Sequence, residues 1–303
     1  MFAIVAPGQG AQKSGFLAPW LELDAVSSML AELSDAAELD LAYLGANADD
    51  DTIRDTAVLQ PLLVAASLAV ASELGAAPDL VAGHSVGELA ALALAGVLSN
   101  TDAERLVAVR GRAMAEAAAQ QPTSMTAVIG GKPEEVLAAI DDAGLTAANH
   151  NGKGQIVAAG TVEQLAAFAN NPPKRARLIP LSVAGAFHTA HMQQAVDALR
   201  WAAAQVRPQQ PRIAFLSNRD GASITDGAEA LERIVEQVAH PVRWDLCMET
   251  MGTLGVTGIM ELAPAGTLTG IAKRNLQGVE LFNLDTPDQL DDARAFAANH
   301  AQG

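Results

Sequence analysis

A serine held between two glycines, Gly83-His84-Ser85-Val86-Gly87, separates an apolar run from a run of helix formers. Residues 79–83 read as a short buried strand, and residues 88–95 as an Ala/Leu helix that stops at Gly96. A chain that passes from strand to helix through one serine needs a tight, strained turn, with small neighbours that let it lie against the sheet. Such a turn pushes the hydroxyl outward. It also sets the next N–H, that of Val86, at a helix N-terminus, where negative charge is favoured. The five-residue pattern alone also describes a plain turn packing a helix on a sheet. The strand before it and the helix after it favour Ser85 as a nucleophile.

The rest of the chain supplies a frame for that turn. Residues 2–6 form a second apolar strand, closed by Pro7-Gly8-Gln9-Gly10. Residues 57–75 predict a long buried helix with Pro61 in its first turn, and 101–118 another, with Thr101 as cap and Glu104 three residues on. From 124 the order becomes strand (124–129), helix (133–143), strands (145–148 and 155–159), helix (162–170) and strand (177–183). That order is the signature of a ferredoxin-like unit. Alternation resumes with a helix at 189–206, a strand at 212–217, a helix at 228–239, a strand at 259–262 and a helix at 267–273. The expectation is an α/β chain: a large, α/β-hydrolase-like domain with a mostly parallel sheet (1–123 and 189–303) and an inserted ferredoxin-like subdomain (124–188). The last twenty residues read as polar and poorly ordered.

Composition bounds the function. Half of the 303 residues are hydrophobic, enough for a sizeable core, and the 4% aromatic content makes that core aliphatic. Cys247 is the single cysteine, which excludes a disulfide framework and fits a reducing, cytoplasmic setting. The N-terminal apolar run has no basic residues before it and is too short for a signal peptide or a membrane span, and the longest apolar stretches are broken by Gly, Pro or charge. A formal charge of −16 repels nucleic acid and anionic membranes, and makes any anionic substrate depend on a few placed cations.

A serine hydroxyl needs a base. Of the six histidines, His84 adjoins Ser85 in the strand, points the other way and reads as core; His150, His240 and His300 lie in a loop, before a proline and in the tail. His188 and His191 remain, at a predicted strand-to-helix junction, and spacing favours His188 over His191. The Gly8-Gln9-Gly10 loop offers N–H groups for an oxyanion, or simply a tight turn; it lacks the third glycine of a dinucleotide loop, which disfavours a nicotinamide enzyme. No phosphate-binding glycine-lysine loop and no Cys/His metal spacing is present. A substrate carboxylate would need a bidentate cation, and Arg110 and Arg112 both qualify by that argument.

Taken in order, Pro7-Gly8-Gln9-Gly10-Ala11-Gln12, Gln60-Pro61, Gly83-His84-Ser85-Val86-Gly87-Glu88, Arg110-Gly111-Arg112-Ala113-Met114, Asn149-His150-Asn151, Ala186-Phe187-His188 and Pro264-Ala265-Gly266 resemble one family. It is the malonyl-CoA:acyl carrier protein transacylases, with the related acyltransferase domains of polyketide and fatty-acid synthases. The free-standing chain also resembles the actinobacterial fatty-acid synthesis type. The resemblance implies a ping-pong transfer through a malonyl-serine ester on Ser85, with His188 as the base. It gives backbone N–H groups of Gln9 and Val86 as the oxyanion hole, and assigns Arg110 rather than Arg112 to the malonyl carboxylate. Gln60 and Asn151 line the pocket, Phe187 disfavours an α-methyl group, and the backbone carbonyl of Gln237 orients His188.

The resemblance also implies malonyl-CoA and acyl carrier protein as partners and no cofactor; no metal is expected from the spacing, and the chain is taken as a monomer. Lys174, Arg175 and Arg177, or Lys273 and Arg274, are the candidate carrier-docking clusters. Two alternatives share most motifs: the acyltransferase subunit of malonate decarboxylase, and a serine esterase or thioesterase that passes the acyl group to water. A non-catalytic carrier-binding module is disfavoured by the complete Ser85, His188 and Arg110 set.

Overall fold

Five consecutive apolar residues without polar alternation call for burial on both faces, and Phe2–Ala6 forms strand β1, buried along its whole length. The computed structural model describes residues 1–301. After β1 come helices α1 (Asp24–Ala37), α2 (Leu41–Asn47) and α3 (Thr56–Ser72), strand β2 (Leu80–Gly83), and helices α4 (Gly87–Leu94) and α5 (Asn100–Ala119). A second group follows: β3 (Thr123–Gly130), α6 (Pro133–Asp142), β4 (Thr146–His150), β5 (Gln155–Thr161), α7 (Val162–Asn170) and β6 (Ala176–Pro180). The chain continues with α8 (Gln193–Ala203), β7 (Ala214–Leu216), β8 (Ser223–Ile224), α9 (Gly227–Gln237) and α10 (Trp244–Thr253). It ends with β9 (Gly258–Leu262), α11 (Thr267–Asn275), β10 (Glu280–Leu284) and α12 (Leu290–His300).

Two sheets result. The larger runs β10-β9-β1-β2-β7-β8, parallel throughout except for β8 against β7. The fold is therefore mixed α/β with a mostly parallel sheet. The smaller sheet, β4-β5-β3-β6, is antiparallel. The two parts meet where β4 passes Val242: its N–H donates to the Ala148 carbonyl at 2.8 Å, and the His150 N–H donates to the Val242 carbonyl at 2.9 Å. In the larger sheet, the loops after β1, β2 and β7 all leave from the carboxyl ends of adjacent strands, where open parallel sheets bind ligands.

Several expectations change. Helix α3 starts at Thr56, capped by Asp55, whose carboxylate accepts from the Ala57 N–H at 2.8 Å; Pro61 thus lies inside the helix and not in its first turn. Helix α5 is capped by Ser99 rather than Thr101, and Glu104 is buried instead of reaching back to the cap. The tail is helical over Leu290–His300: Leu290, Ala293 and Ala297 recur at helical spacing and bury one face of α12 against the core, and residues 302 and 303 lie outside the described residues. Its polar residues had masked that stripe. Helix α10 and strands β8 and β10 were not expected either.

One close crossing matters for the site. A Cβ on Gly111 would stand 2.9 Å from the Thr56 carbonyl oxygen and 3.2 Å from the Ala57 Cα. Glycine there lets α5 lie against the first turns of α3, and this brings Arg110 within reach of Gln60.

Candidate active site

The turn at Ser85 is held by steric need on both sides. A Cβ on Gly83 would meet the Gly87 carbonyl at 2.0 Å, and one on Gly87 would meet the Ala6 carbonyl oxygen at 2.3 Å. Ser85 itself has φ 54°, in the left-handed region that a β-substituted residue enters only under constraint. Asn218, just past β7, supplies the constraint: its Oδ1 accepts the Ser85 N–H at 2.8 Å and its Nδ2 donates to the Gly83 carbonyl at 2.8 Å.

His188 is buried and also adopts a left-handed backbone, φ 61°. Its Nε2 lies 2.7 Å from Ser85 Oγ, and its Nδ1 lies 2.9 Å from the backbone carbonyl of Gln237. A carbonyl only accepts, so Nδ1 carries the proton and Nε2 is left to accept from the serine. Burial pushes the imidazole pKa down to about 3, with the nearby Arg110 charge acting in the same direction against the Gln237 carbonyl. The ring is therefore neutral near neutral pH, the form in which Nε2 can accept a proton.

Arg110 is 1% exposed, yet no carboxylate lies within ion-pair distance of it among the described residues. Its guanidinium instead donates to neutral acceptors: Nη1 to Gln60 Oε1 at 2.6 Å, and Nη2 to Gln237 Oε1 at 3.0 Å and Ser85 Oγ at 3.3 Å. Its Nε has no partner among the described residues. Burial lowers its pKa to about 10, opposed by Glu88, so it stays charged near neutral pH. A buried cation held only by amides and a hydroxyl is under-compensated, and its surroundings favour an incoming anion.

The other expected residues fall at graded distances from this cluster. The N–H groups of Gln9 and Val86 have no hydrogen-bond acceptor among the described residues, as donors kept for a ligand would. Gln9 also lines a cavity of about 390 Å³ with Leu59, Leu181 and Val183. Asn151 joins through His84, its Oδ1 lying 2.9 Å from the His84 Nε2. His84 is thus no core residue: it is half-buried, polar-bonded to Asn151 and edge-on to the Trp244 ring at 5.7 Å. Phe187 is packed in the hydrophobic core beside His188 in the chain and makes no polar contact. His191 lies apart, on a cavity wall with Gln120 and Gln194.

Sequence reasoning gave no role to Glu88 or Asn218. Glu88 is buried in the first turn of α4, where both carboxylate oxygens are engaged, one by the Asn218 N–H at 2.5 Å and the other by the Gln237 side-chain amide. A lone acid in an otherwise Ala/Leu helix was the available signal. Asn218 had only its position at a strand end.

Residues 3–287 match the family model described as an acyl transferase domain. A malonyl CoA-acyl carrier protein transacylase of Mycobacterium bovis is 49% identical over 298 residues, spanning 96% of this chain and 99% of that protein. The crystal structure of MCAT from Mycobacterium tuberculosis superposes with a TM-score of 0.94 at 48% identity, covering 97% of this chain and 99% of that one. A malonyl-transacylase solved in complex with its type II PKS acyl-carrier protein superposes with a TM-score of 0.90 at 32% identity, covering 97% and 99%. With its serine turn, histidine and buried arginine in this arrangement, the chain belongs to the acyltransferase family that contains the malonyl CoA-acyl carrier protein transacylases.

Proposed function

We propose that the protein moves a malonyl group from malonyl-CoA to the phosphopantetheine thiol of acyl carrier protein, for fatty-acid synthesis. Ser85 Oγ attacks the thioester carbonyl while its proton passes to His188 Nε2. The tetrahedral oxyanion takes hydrogen bonds from the Gln9 and Val86 N–H groups and collapses with loss of the coenzyme A thiolate, which regains a proton from His188. The carrier thiol then gives its proton to His188 and attacks the malonyl-serine ester, and Ser85 leaves with the proton returned. The Gln237 carbonyl keeps the imidazole in the tautomer that both half-reactions need. Nucleophile, base and carboxylate anchor are all side chains, so the reaction calls for no metal or organic cofactor.

The observation that carries this reading is Arg110: buried, charged, free of any ion pair among the described residues, and 3.3 Å from the nucleophile. A bidentate guanidinium–carboxylate contact there would fix the malonyl group with its thioester carbon over Ser85. Replacing Arg110 by Ala should therefore lower kcat/KM for malonyl-CoA by about a hundredfold or more and leave acetyl-CoA within about threefold. Equal losses on both thioesters would remove the carboxylate role. The transferase itself is tested by supplying malonyl-CoA with phosphopantetheinylated carrier protein and following both products. Transfer should outrun release of free malonate, and the reverse order would make the protein a hydrolase.

The same reading gives a large α/β-hydrolase-like domain, 1–123 and 189–303, supported by the serine turn on a parallel sheet. The inserted unit, 124–188, reads as ferredoxin-like, supported by its sheet order β4-β5-β3-β6 with two helices. Of the two candidate docking clusters, Lys273 and Arg274 are favoured. Arg274 donates to Gln155 Oε1 at 2.9 Å, and the neighbouring Asn275 accepts the Lys153 N–H at 2.7 Å. The end of α11 thereby touches the turn that carries Asn151, beside the site. Lys174 and Arg175 border a cavity with Gly131, Lys132 and Glu135; Gly130 joins that end of β3 to the same turn, its N–H donating to the Gly154 carbonyl at 3.0 Å, so this cluster stands one strand farther from Asn151. The reading also sets the protein in the cytoplasm, acting as a monomer.

A further inference from the structure

Glu88 is a buried acid that the transfer chemistry above does not use. Its carboxylate ties together three separate segments: the turn at 83–88, the loop after β7 through the Asn218 N–H, and the end of α9 through the Gln237 side chain. Gln237 is the decisive link. Its Nε2 faces Glu88 and also lies 3.2 Å from the Ser85 carbonyl, so its Oε1 must face the other way, where it accepts from Arg110 Nη2 at 3.0 Å. An amide turned over would set its NH₂ against the guanidinium, donor against donor. The line therefore runs carboxylate, amide N–H, amide carbonyl, guanidinium, and every member has one orientation.

Resting on the malonyl-transfer reading, we propose that Glu88 is the positioning residue of the carboxylate anchor: by fixing the Gln237 amide it aims Arg110. The distance matters chemically. A carboxylate in direct contact with Arg110 would occupy the place of the malonyl carboxylate, whereas the Gln237 amide that Glu88 holds gives the guanidinium a neutral acceptor and leaves Nε and part of Nη1 open. Burial pushes the Glu88 carboxyl up to about 8, against the Asn218 N–H, Arg110, the Gln237 amide and Arg233, which all favour the anion; the line to Arg110 therefore rests on hydrogen-bond geometry and not on the charge of Glu88.

The test is Glu88→Gln, assayed by formation of the acyl-enzyme from malonyl-CoA and from acetyl-CoA. The substitution keeps an acceptor for Asn218 but sets an NH₂ against the Gln237 NH₂, so the Gln237 amide turns and Arg110 loses its acceptor. Acylation by malonyl-CoA should fall about tenfold or more in kcat/KM, chiefly through KM, while acetyl-CoA changes by less than about threefold. A loss of packing alone would lower both alike, and that result, or no loss on either, overturns the proposal. Arg110→Ala, run beside it, separates the two readings. If Arg110→Ala spares the malonyl preference, the malonyl-transfer reading fails; if it removes the preference and Glu88→Gln does not, only the role of Glu88 fails. Should Glu88→Gln not fold, the exchange Glu88→Gln with Gln237→Glu restores one donor per acceptor along the line and recovers a folded protein by thermal melting. Failure of the exchange to recover the fold also overturns the proposal.

Discussion

Replacing Ser85 by Ala leaves a folded protein whose malonyl transfer falls by ~10⁴-fold or more, because no covalent carrier remains. The fold should survive because the turn does not depend on the hydroxyl. Gly83, Gly87 and the Asn218 clasp hold the backbone at φ 54°, and alanine is no worse there than serine. The measurement is the intact mass after incubation with malonyl-CoA and no acceptor. The native protein gains one malonyl group, and the variant gains none. A malonyl ester on the alanine variant, or transfer within tenfold of native, would mean that another group carries the acyl chain.

Replacing His188 by Ala should lower the transfer rate by about 10³-fold. Ser85 Oγ then loses its only proton acceptor among the described residues, at 2.7 Å, and the Gln237 carbonyl loses the group it orients. Both half-reactions use the same base, so acylation by malonyl-CoA and deacylation by the carrier thiol should slow together. A variant that acylates normally and stalls only at the second step would assign the first proton elsewhere. The environment of the ring adds a pH signature. A base acts in its neutral form, and with its pKa held down near 3 by burial and by Arg110, the imidazole stays neutral as the solution is acidified. Acylation should keep its rate from neutrality down to about pH 5, whereas an unperturbed histidine titrates near 6.5 and would cost about tenfold for each unit below. A fall of that kind would place His188 in a wetter setting than the structure gives it.

The serine turn was legible because it joins two local signals, a strand and a helix, across five residues. The inserted sheet was legible for the same reason: each of its strands and helices is short and cleanly bounded, from Thr123 to Pro180. Arg110 and His188 needed more. Each is one of several residues of its type, and what distinguishes it is contact with segments 25 and 103 positions away in the chain. No periodicity reports such a contact; the family resemblance did. Glu88 and Asn218 escaped both routes, because their work is to hold backbone and amide groups whose positions exist only after folding. The tail was misjudged for a simpler reason. Three small or aliphatic residues on α12 suffice to bury it, and a polar average hides three residues.

The left-handed backbone at Ser85 and His188 bears on how this protein can be engineered. For a residue other than glycine that conformation costs roughly 1–2 kcal/mol, and here it falls on the two side chains that react. Glycine at either position would relax the chain and delete the chemistry in one step. A variant library ranked by melting temperature alone would thus accumulate inactive sequences at positions 85 and 188, and the gain would be mistaken for improvement. Stability has to be sought away from both turns, for example on the exposed faces of α1 and α12.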